Sequence, residues 1–195
     1  MKRLILASGS PRRKQLLERV FLSFDISVSE VNENFNENLS PAEAVELLAL
    51  RKARKVSERF PNAIILGADT IVSIDNEILG KPADACAAES MLLRLSGKTH
   101  TVYTGTAIVS SERTYSFYSA TDVIFHELAK EEIKFYIASG EPFDKAGGYG
   151  IQGLGATLVK EIHGDYFTVV GLPLSETVRA LRSFGITPGS VTEKQ

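Results

Sequence analysis

The chain has 195 residues, a formal net charge of −2 and 24% charged residues of mixed sign. That length can bury a substantial core in one large domain or two fused lobes, and the near-neutral charge argues against broad nucleic-acid or membrane electrostatics. The single cysteine allows no intramolecular disulfide, no apolar run approaches the roughly 20 residues of a membrane span, and no secretory pattern opens the chain, so a cytoplasmic protein is expected.

Residues 4–6, Leu-Ile-Leu, read as a short buried strand that runs into the polar turn Ser8-Gly9-Ser10. Ser10 stands at an N-cap with Pro11 at the first helical position, where a missing N–H costs nothing. Arg12 and Arg13 come next. Cations in a first helical turn oppose the helix dipole at a cost of about 0.3–1 kcal/mol each. Two of them beside unsatisfied backbone N–H groups make an anion site suited to phosphate, against the alternative of an incidental basic turn.

The first helix covers residues 11–20, with Leu16, Leu17 and Val20 on one face. A second strand follows at 24–28, then a polar loop at 32–39. The capping-box spacing of Ser40 and Glu43 opens a long helix that reaches about residue 60. Leu47, Leu48 and Leu50 give that helix buried surface, while Lys52, Arg54 and Lys55 give it charge. Residues 63–66 form a strand, 71–74 continue extended, and Asp75-Asn76 make a turn. A helix at 84–95 contains Cys86, which lacks an activating base nearby and reads as a packing residue. Residues 100–109 and 115–125 are two long antiparallel strands. Residues 131–138 are helical, 147–155 are glycine-rich, and 158–162 with 167–170 form a late strand pair. An amphipathic helix at 173–184 and a frayed tail beyond 188 close the chain. The expected fold is α/β, a mixed sheet flanked by helices.

Five polar clusters carry the chemistry. Beyond residues 8–13, Gly67-Ala68-Asp69-Thr70 sets an acid directly after an apolar strand, where it binds a cation, activates water or merely caps a turn. Gly80-Lys81-Pro82 holds a lysine between turn formers but lacks the spacing of a phosphate-binding P-loop. Residues 97–105 make a polar approach to a strand, with exposed alternating threonines as the plain alternative. Residues 144–153 contain enough glycine for a backbone to approach a ligand closely, with Gln152 at their centre. His100, His126 and His163 are scattered without zinc-ligand spacing. Magnesium or manganese, held by carboxylates and substrate phosphates, is the more plausible metal, with Glu33 and Asp69 as candidate ligands and Glu30 a weaker one. Taken alone, Glu33 is an ordinary solvated acid.

This ordered set of segments, together with Lys52-Ala53 and Gly171-Leu172-Pro173-Leu174, resembles the Maf family of nucleoside triphosphate pyrophosphatases over nearly the whole chain. The resemblance implies an elongated α/β fold like that of the inosine-triphosphate pyrophosphatase group, with one catalytic domain of two lobes around a cleft spanning residues 1–187. It implies Asp69 as the catalytic acid, expected to act as base toward water or as a metal ligand, and Glu33 near the metal. Ser8, Arg13, Lys52 and Lys81 match the triphosphate-binding positions. Arg12, Thr70 and Gln152 match the trio of the branch that hydrolyses dTTP and UTP. Homodimers are common in the family, and a divalent cation, Mg2+ or Mn2+, is the implied cofactor.

Two rivals stand beside this expectation. One is a nucleotide-binding regulator of septum formation with little catalytic activity, a role also linked to the family. The other is a nucleic-acid module built on the basic residues 12–14 and 51–55, disfavoured by the charge balance and the lack of an aromatic stacking motif, so no stable nucleic-acid complex is expected.

Overall fold

The computed structural model of the chain describes residues 2–34 and 39–189. The expected loop at 32–39 and the frayed tail lie partly outside the described residues. In chain order the elements are β1 (Leu4–Leu6), α1 (Pro11–Arg19), β2 (Asp25–Ile26), α2 (Pro41–Ser57), β3 (Ile64–Ile74), β4 (Glu77–Leu79) and α3 (Ala85–Leu95). There follow β5 (Thr99–Val109), β6 (Thr114–Phe125), α4 (Lys130–Ala138), β7 (Val159–His163), α5 (Tyr166–Val170) and α6 (Leu174–Ser183). Among the described residues the strands form one seven-stranded sheet in the order β2-β1-β3-β5-β6-β7, with β4 paired to β3. β1 runs parallel to both neighbours, Ile5 lying opposite Asp25 and Ile65. Parallel neighbours need crossovers, and α1 and α2 supply them. The expected class, a mixed sheet flanked by helices, is the observed one.

The chain divides into two compact units. The first comprises Met1–Asp69, Gly105–Tyr118 and Gly171–Gln195, and the second Thr70–Thr104 and Ser119–Val170. In the first unit, Ile5 and Ile65 of the strands pack with Ala49, Ala53 and Val56 of α2 and with Ala107 and Val109 of β5. The Ser40 hydroxyl caps the Glu43 N–H, and the Glu43 carboxylate accepts from the Ser40 N–H at 2.9 Å, which completes the capping box. The Ser40 hydroxyl, which donates to the same carboxylate at 2.7 Å, and the Ser40 N–H hold the Glu43 carboxyl below the usual carboxylate range.

The small residues on the buried face of α2 let it lie close to the sheet. Gly67 and Gly105 make that approach possible. A Cβ on Gly67 would stand 2.4 Å from the Ala49 carbonyl oxygen, and one on Gly105 would stand 2.3 Å from that of Val45.

In the second unit, Val72, Leu92, Leu95, Val102, Phe125, Ile133 and Tyr149 share a core. Asp75 and Asn76 both take positive φ, 52° and 62°, the geometry of a two-residue hairpin turn. The resulting strand β4 pairs antiparallel with β3, Ile74 opposite Glu77, and has no counterpart in the sequence reading.

Several expectations are corrected. Residues 64–74 are one continuous strand, so Asp69 and Thr70 lie inside it instead of at a strand end. Residues 166–170 are helical, because the Asp165 carboxylate accepts from the N–H groups of Phe167 and Thr168 and starts a helical turn. β7 pairs with β6 instead, Val123 opposite Ile162. β2 shrinks to two residues. Cys86 is exposed and does not pack, since α3 buries Ala88, Leu92 and Leu95 on its opposite face.

Candidate active site

The first unit gathers Ser8, Arg13, Glu33, Lys52 and Asp69. α1 begins as its sequence dictates, with the Ser10 hydroxyl accepting from the Arg13 N–H at 3.4 Å and Pro11 in the first turn. The Arg13 side chain folds back over this start. Its Nε donates to the Gly171 carbonyl at 2.7 Å, and its Nη1 donates to the Ser8 hydroxyl at 3.2 Å. Ser8 is buried and also accepts from the Ser10 N–H at 3.2 Å. Both bonds use its lone pairs, which leaves the hydroxyl proton to donate to an oxyanion. Burial pushes the Arg13 guanidinium below its ordinary value and Asp69 opposes that shift. Arg12 adds to the lowering and Glu33 resists it.

Lys52 projects from α2 and Asp69 from β3, and their charged ends meet at 2.5 Å with each side chain only 13% exposed. The same ammonium touches the Glu33 carboxylate at 2.7 Å. Glu33 is held between two anchored neighbours: Arg51, next to Lys52, donates to the Asn34 carbonyl at 2.6 Å, and the Asn32 side chain accepts from the Asn34 N–H at 2.8 Å. One cation thus stands between two carboxylates. Glu30 is exposed.

Arg12, half-buried, belongs to the first unit, while Thr70, Lys81 and Gln152 belong to the second. Lys81 is exposed, and the preceding Gly80 carbonyl accepts from the Gly147 N–H at 2.9 Å, which ties two of the glycine-bearing segments together. The segment around Gln152 is fixed from several sides. The Glu141 carboxylate accepts from the N–H groups of Leu154 and Gly155 at 3.1 and 3.3 Å, and the Tyr136 hydroxyl accepts from that of Gly150 at 3.2 Å. Lys145 donates to the Glu141 carbonyl at 2.5 Å and to the Asp144 carboxylate at 2.6 Å. Thr70 and Thr104 share a hydrogen bond of 2.9 Å.

Several motif residues serve the core. His100 is buried, its Nε2 2.7 Å from the Tyr149 hydroxyl, with edge-on contacts among His100, Phe125 and Tyr149. Burial holds the His100 ring down to about 4 and pushes the Tyr149 phenol up. Both stay neutral at neutral pH. Two contributors escaped the sequence reading. Gly171, whose carbonyl holds Arg13, was visible only as part of an unassigned motif. Thr104 was visible only as one threonine of an alternating run, in which Thr99 is exposed, Thr101 half-buried and Thr104 fully buried.

The chain resembles known proteins along nearly its whole length. The dTTP/UTP pyrophosphatase of Bacillus cytotoxicus is 57% identical over 184 residues, covering 94% of this chain and 96% of that one. The enzyme of the same name from Bacillus pumilus is 55% identical over 188 residues, covering 96% and 100%. Among solved structures, a HAM1 protein from Coxiella burnetii superposes with a TM-score of 0.47 at 16% identity, covering 67% of this chain and 76% of that one. The family described as Maf-like protein matches residues 3–184, and the chain belongs to it.

Proposed function

We propose that the protein is a metal-dependent nucleoside triphosphate pyrophosphatase that hydrolyses dTTP and UTP to the monophosphate and pyrophosphate. The observation that carries this reading is the ammonium of Lys52 seated between Asp69 and Glu33, beside an arginine and a serine hydroxyl able to receive phosphate. Relatives 55–57% identical over nearly the full length bear the name dTTP/UTP pyrophosphatase.

The donor set fits a hard divalent cation. Two carboxylates already hold a positive charge between them, and among the described residues no group of three His, Cys, Asp or Glu side chains forms a fuller cage. Magnesium and manganese sites of nucleotide enzymes are of this kind, with one or two carboxylates completed by water and substrate phosphates. Glu33 and Asp69 would hold the ion, which when bound supplies charge neutralisation and polarisation of the phosphate oxygens. Arg13, Lys52 and Lys81 bind and neutralise the triphosphate, and Ser8 donates to it. Phosphate oxygens give Lys52 an alternative partner, which leaves an Asp69 oxygen for water. Asp69 orients that water and takes its proton as the oxygen bonds to the α-phosphorus. The bond from the α-phosphorus to the bridging oxygen breaks, and pyrophosphate leaves.

Gln152, Arg12 and Thr70 are assigned to the base. Uracil and thymine present O4, N3–H and O2, an edge that amide and guanidinium groups complement. Cytosine inverts positions 3 and 4, a mismatch of roughly 1–3 kcal/mol. A homodimer in the cytoplasm completes the proposal. Among the described residues no helix is long and apolar enough to cross a membrane. The basic stretch of α2 gives little support to a nucleic-acid surface, since Arg51, Lys52 and Lys55 are engaged within the protein.

Pyrophosphate release across a nucleotide panel tests the function. UTP and dTTP should be turned over at least about tenfold better than CTP and the purine triphosphates, and EDTA should abolish activity. Asp69→Asn, nearly isosteric, should lose about 100- to 10,000-fold in kcat while still binding nucleotide. Gln152→Ala and Arg12→Ala should erode the base preference more than the rate. Near wild-type turnover by Asp69→Asn would remove that residue from catalysis.

A further inference from the structure

The hydroxyl oxygens of Thr70 and Thr104 lie 2.9 Å apart, a distance that by itself leaves the direction of the proton open. The next bond settles it. Thr104 Oγ1 lies 2.8 Å from the carbonyl oxygen of Thr168. A carbonyl oxygen can only accept, so Thr104 spends its single proton there. It therefore meets Thr70 as an acceptor, and Thr70 spends its own single proton on Thr104. The far end of this chain is anchored. The Asp165 carboxylate accepts from the Thr168 N–H and from its hydroxyl, each at 2.9 Å. Thr104 and Thr168 are both fully buried, so water does not compete for these bonds.

We infer that Thr70 is an obligate hydrogen-bond acceptor toward a bound base, and that Thr104 is the positioning residue that makes it one. Whatever else Thr70 touches through its hydroxyl, it meets with a lone pair. The ligand this selects is a pyrimidine with a proton on its ring nitrogen, the N3–H of uracil or thymine. Cytosine carries a lone pair at N3, and two acceptors would then face each other. The fixed direction matters because the Gln152 amide can present either end by rotating about its last bond. A hydroxyl whose proton is already committed has no such freedom. This inference rests on the proposed placement of Thr70 at the base, and it moves the discrimination between uracil and cytosine from the amide to a buried threonine relay.

The test compares the ratio of kcat/KM for UTP over CTP in the wild type, Thr104→Val, Thr104→Ser and Thr70→Val. Valine keeps the shape of Thr104 but removes both its bonds, which releases the Thr70 proton to donate to cytosine N3. The ratio should fall about tenfold, with CTP turnover rising, and serine at position 104 should restore it. Thr70→Val should also lower the ratio. A wild-type ratio retained by Thr104→Val but lost by Thr70→Val overturns the relay and leaves the base site standing. A ratio unchanged in Thr70→Val overturns the placement of Thr70 at the base and the relay with it. Neutron diffraction of the deuterated wild type needs no variant to fold. It should find deuterium on Thr104 pointing to the Thr168 carbonyl and on Thr70 pointing to Thr104, and the reverse order overturns the inference.

Discussion

Lys52 balances two carboxylates with one positive charge, and it does so where its side chain and that of Asp69 are largely shielded from water. Removing one partner from such a pair leaves an uncompensated charge, at a typical cost of about 3 kcal/mol. Lys52→Met should therefore lower the melting temperature in EDTA by roughly 6–12 °C for a chain of this size. Manganese should recover much of that loss and should stabilise the variant more than the wild type, because the competing ammonium is gone. A variant that melts like the wild type with and without manganese would show that Glu33 and Asp69 hold no cation in common. The residue scale also separates chemistry from scaffolding. His100, Lys145 and Tyr149 sit in the most distinctive segments of the sequence, yet the hydrogen bonds of His100 Nε2, the Lys145 ammonium and the Tyr149 hydroxyl are made within the protein.

At the scale of elements, the position of Lys52 depends on how closely α2 approaches β3. Gly67→Ala would put a methyl 2.4 Å from the Ala49 carbonyl and 2.9 Å from the Ala53 N–H, neither of which can yield without moving the helix. The substitution should destabilise the protein by about 1–3 kcal/mol, as overpacking does. It should also lower kcat for UTP, since Lys52 shares a helical turn with Ala53. Denaturant melts and steady-state rates check both, and an unperturbed melt would refute the close approach. α2 itself was legible from its capping residues and length. β3 was split in the sequence reading because Gly67 and Asp69 look like turn formers, whereas the glycine answers to the helix above it. Residues 166–170 show the opposite failure. A short apolar run has no period that separates strand from helix, and the deciding signal was the single carboxylate of Asp165.

For the whole molecule, the buried His100 sets a pH limit. Its ring is held down to about 4 by burial, with Asp122 opposing, against an ordinary value of 6.5. Above pH 6.5 the ring is neutral folded or unfolded and contributes no pH dependence. Between 6.5 and 4 the unfolded chain binds a proton that the folded one refuses, so stability falls as pH falls. At pH 4.5 the loss should reach about 2–3 kcal/mol relative to pH 7. Urea unfolding of wild type and His100→Gln at both values checks this, and equal losses would contradict it. Of the candidate site, Ser8, Arg13, Glu33, Lys52 and Asp69 were legible only as separate motifs, and the fold is what brings them into one unit. The relay behind Thr70 was not legible, since it joins Thr104, Thr168 and Asp165 through a backbone carbonyl that no side-chain pattern announces. The central claim, water attack at the α-phosphorus of a uracil or thymine triphosphate, is tested most directly by hydrolysing UTP in 18O-labelled water and locating the label by mass spectrometry. The label should appear in UMP and be absent from pyrophosphate; label in pyrophosphate, or products of UDP and orthophosphate, would contradict the account.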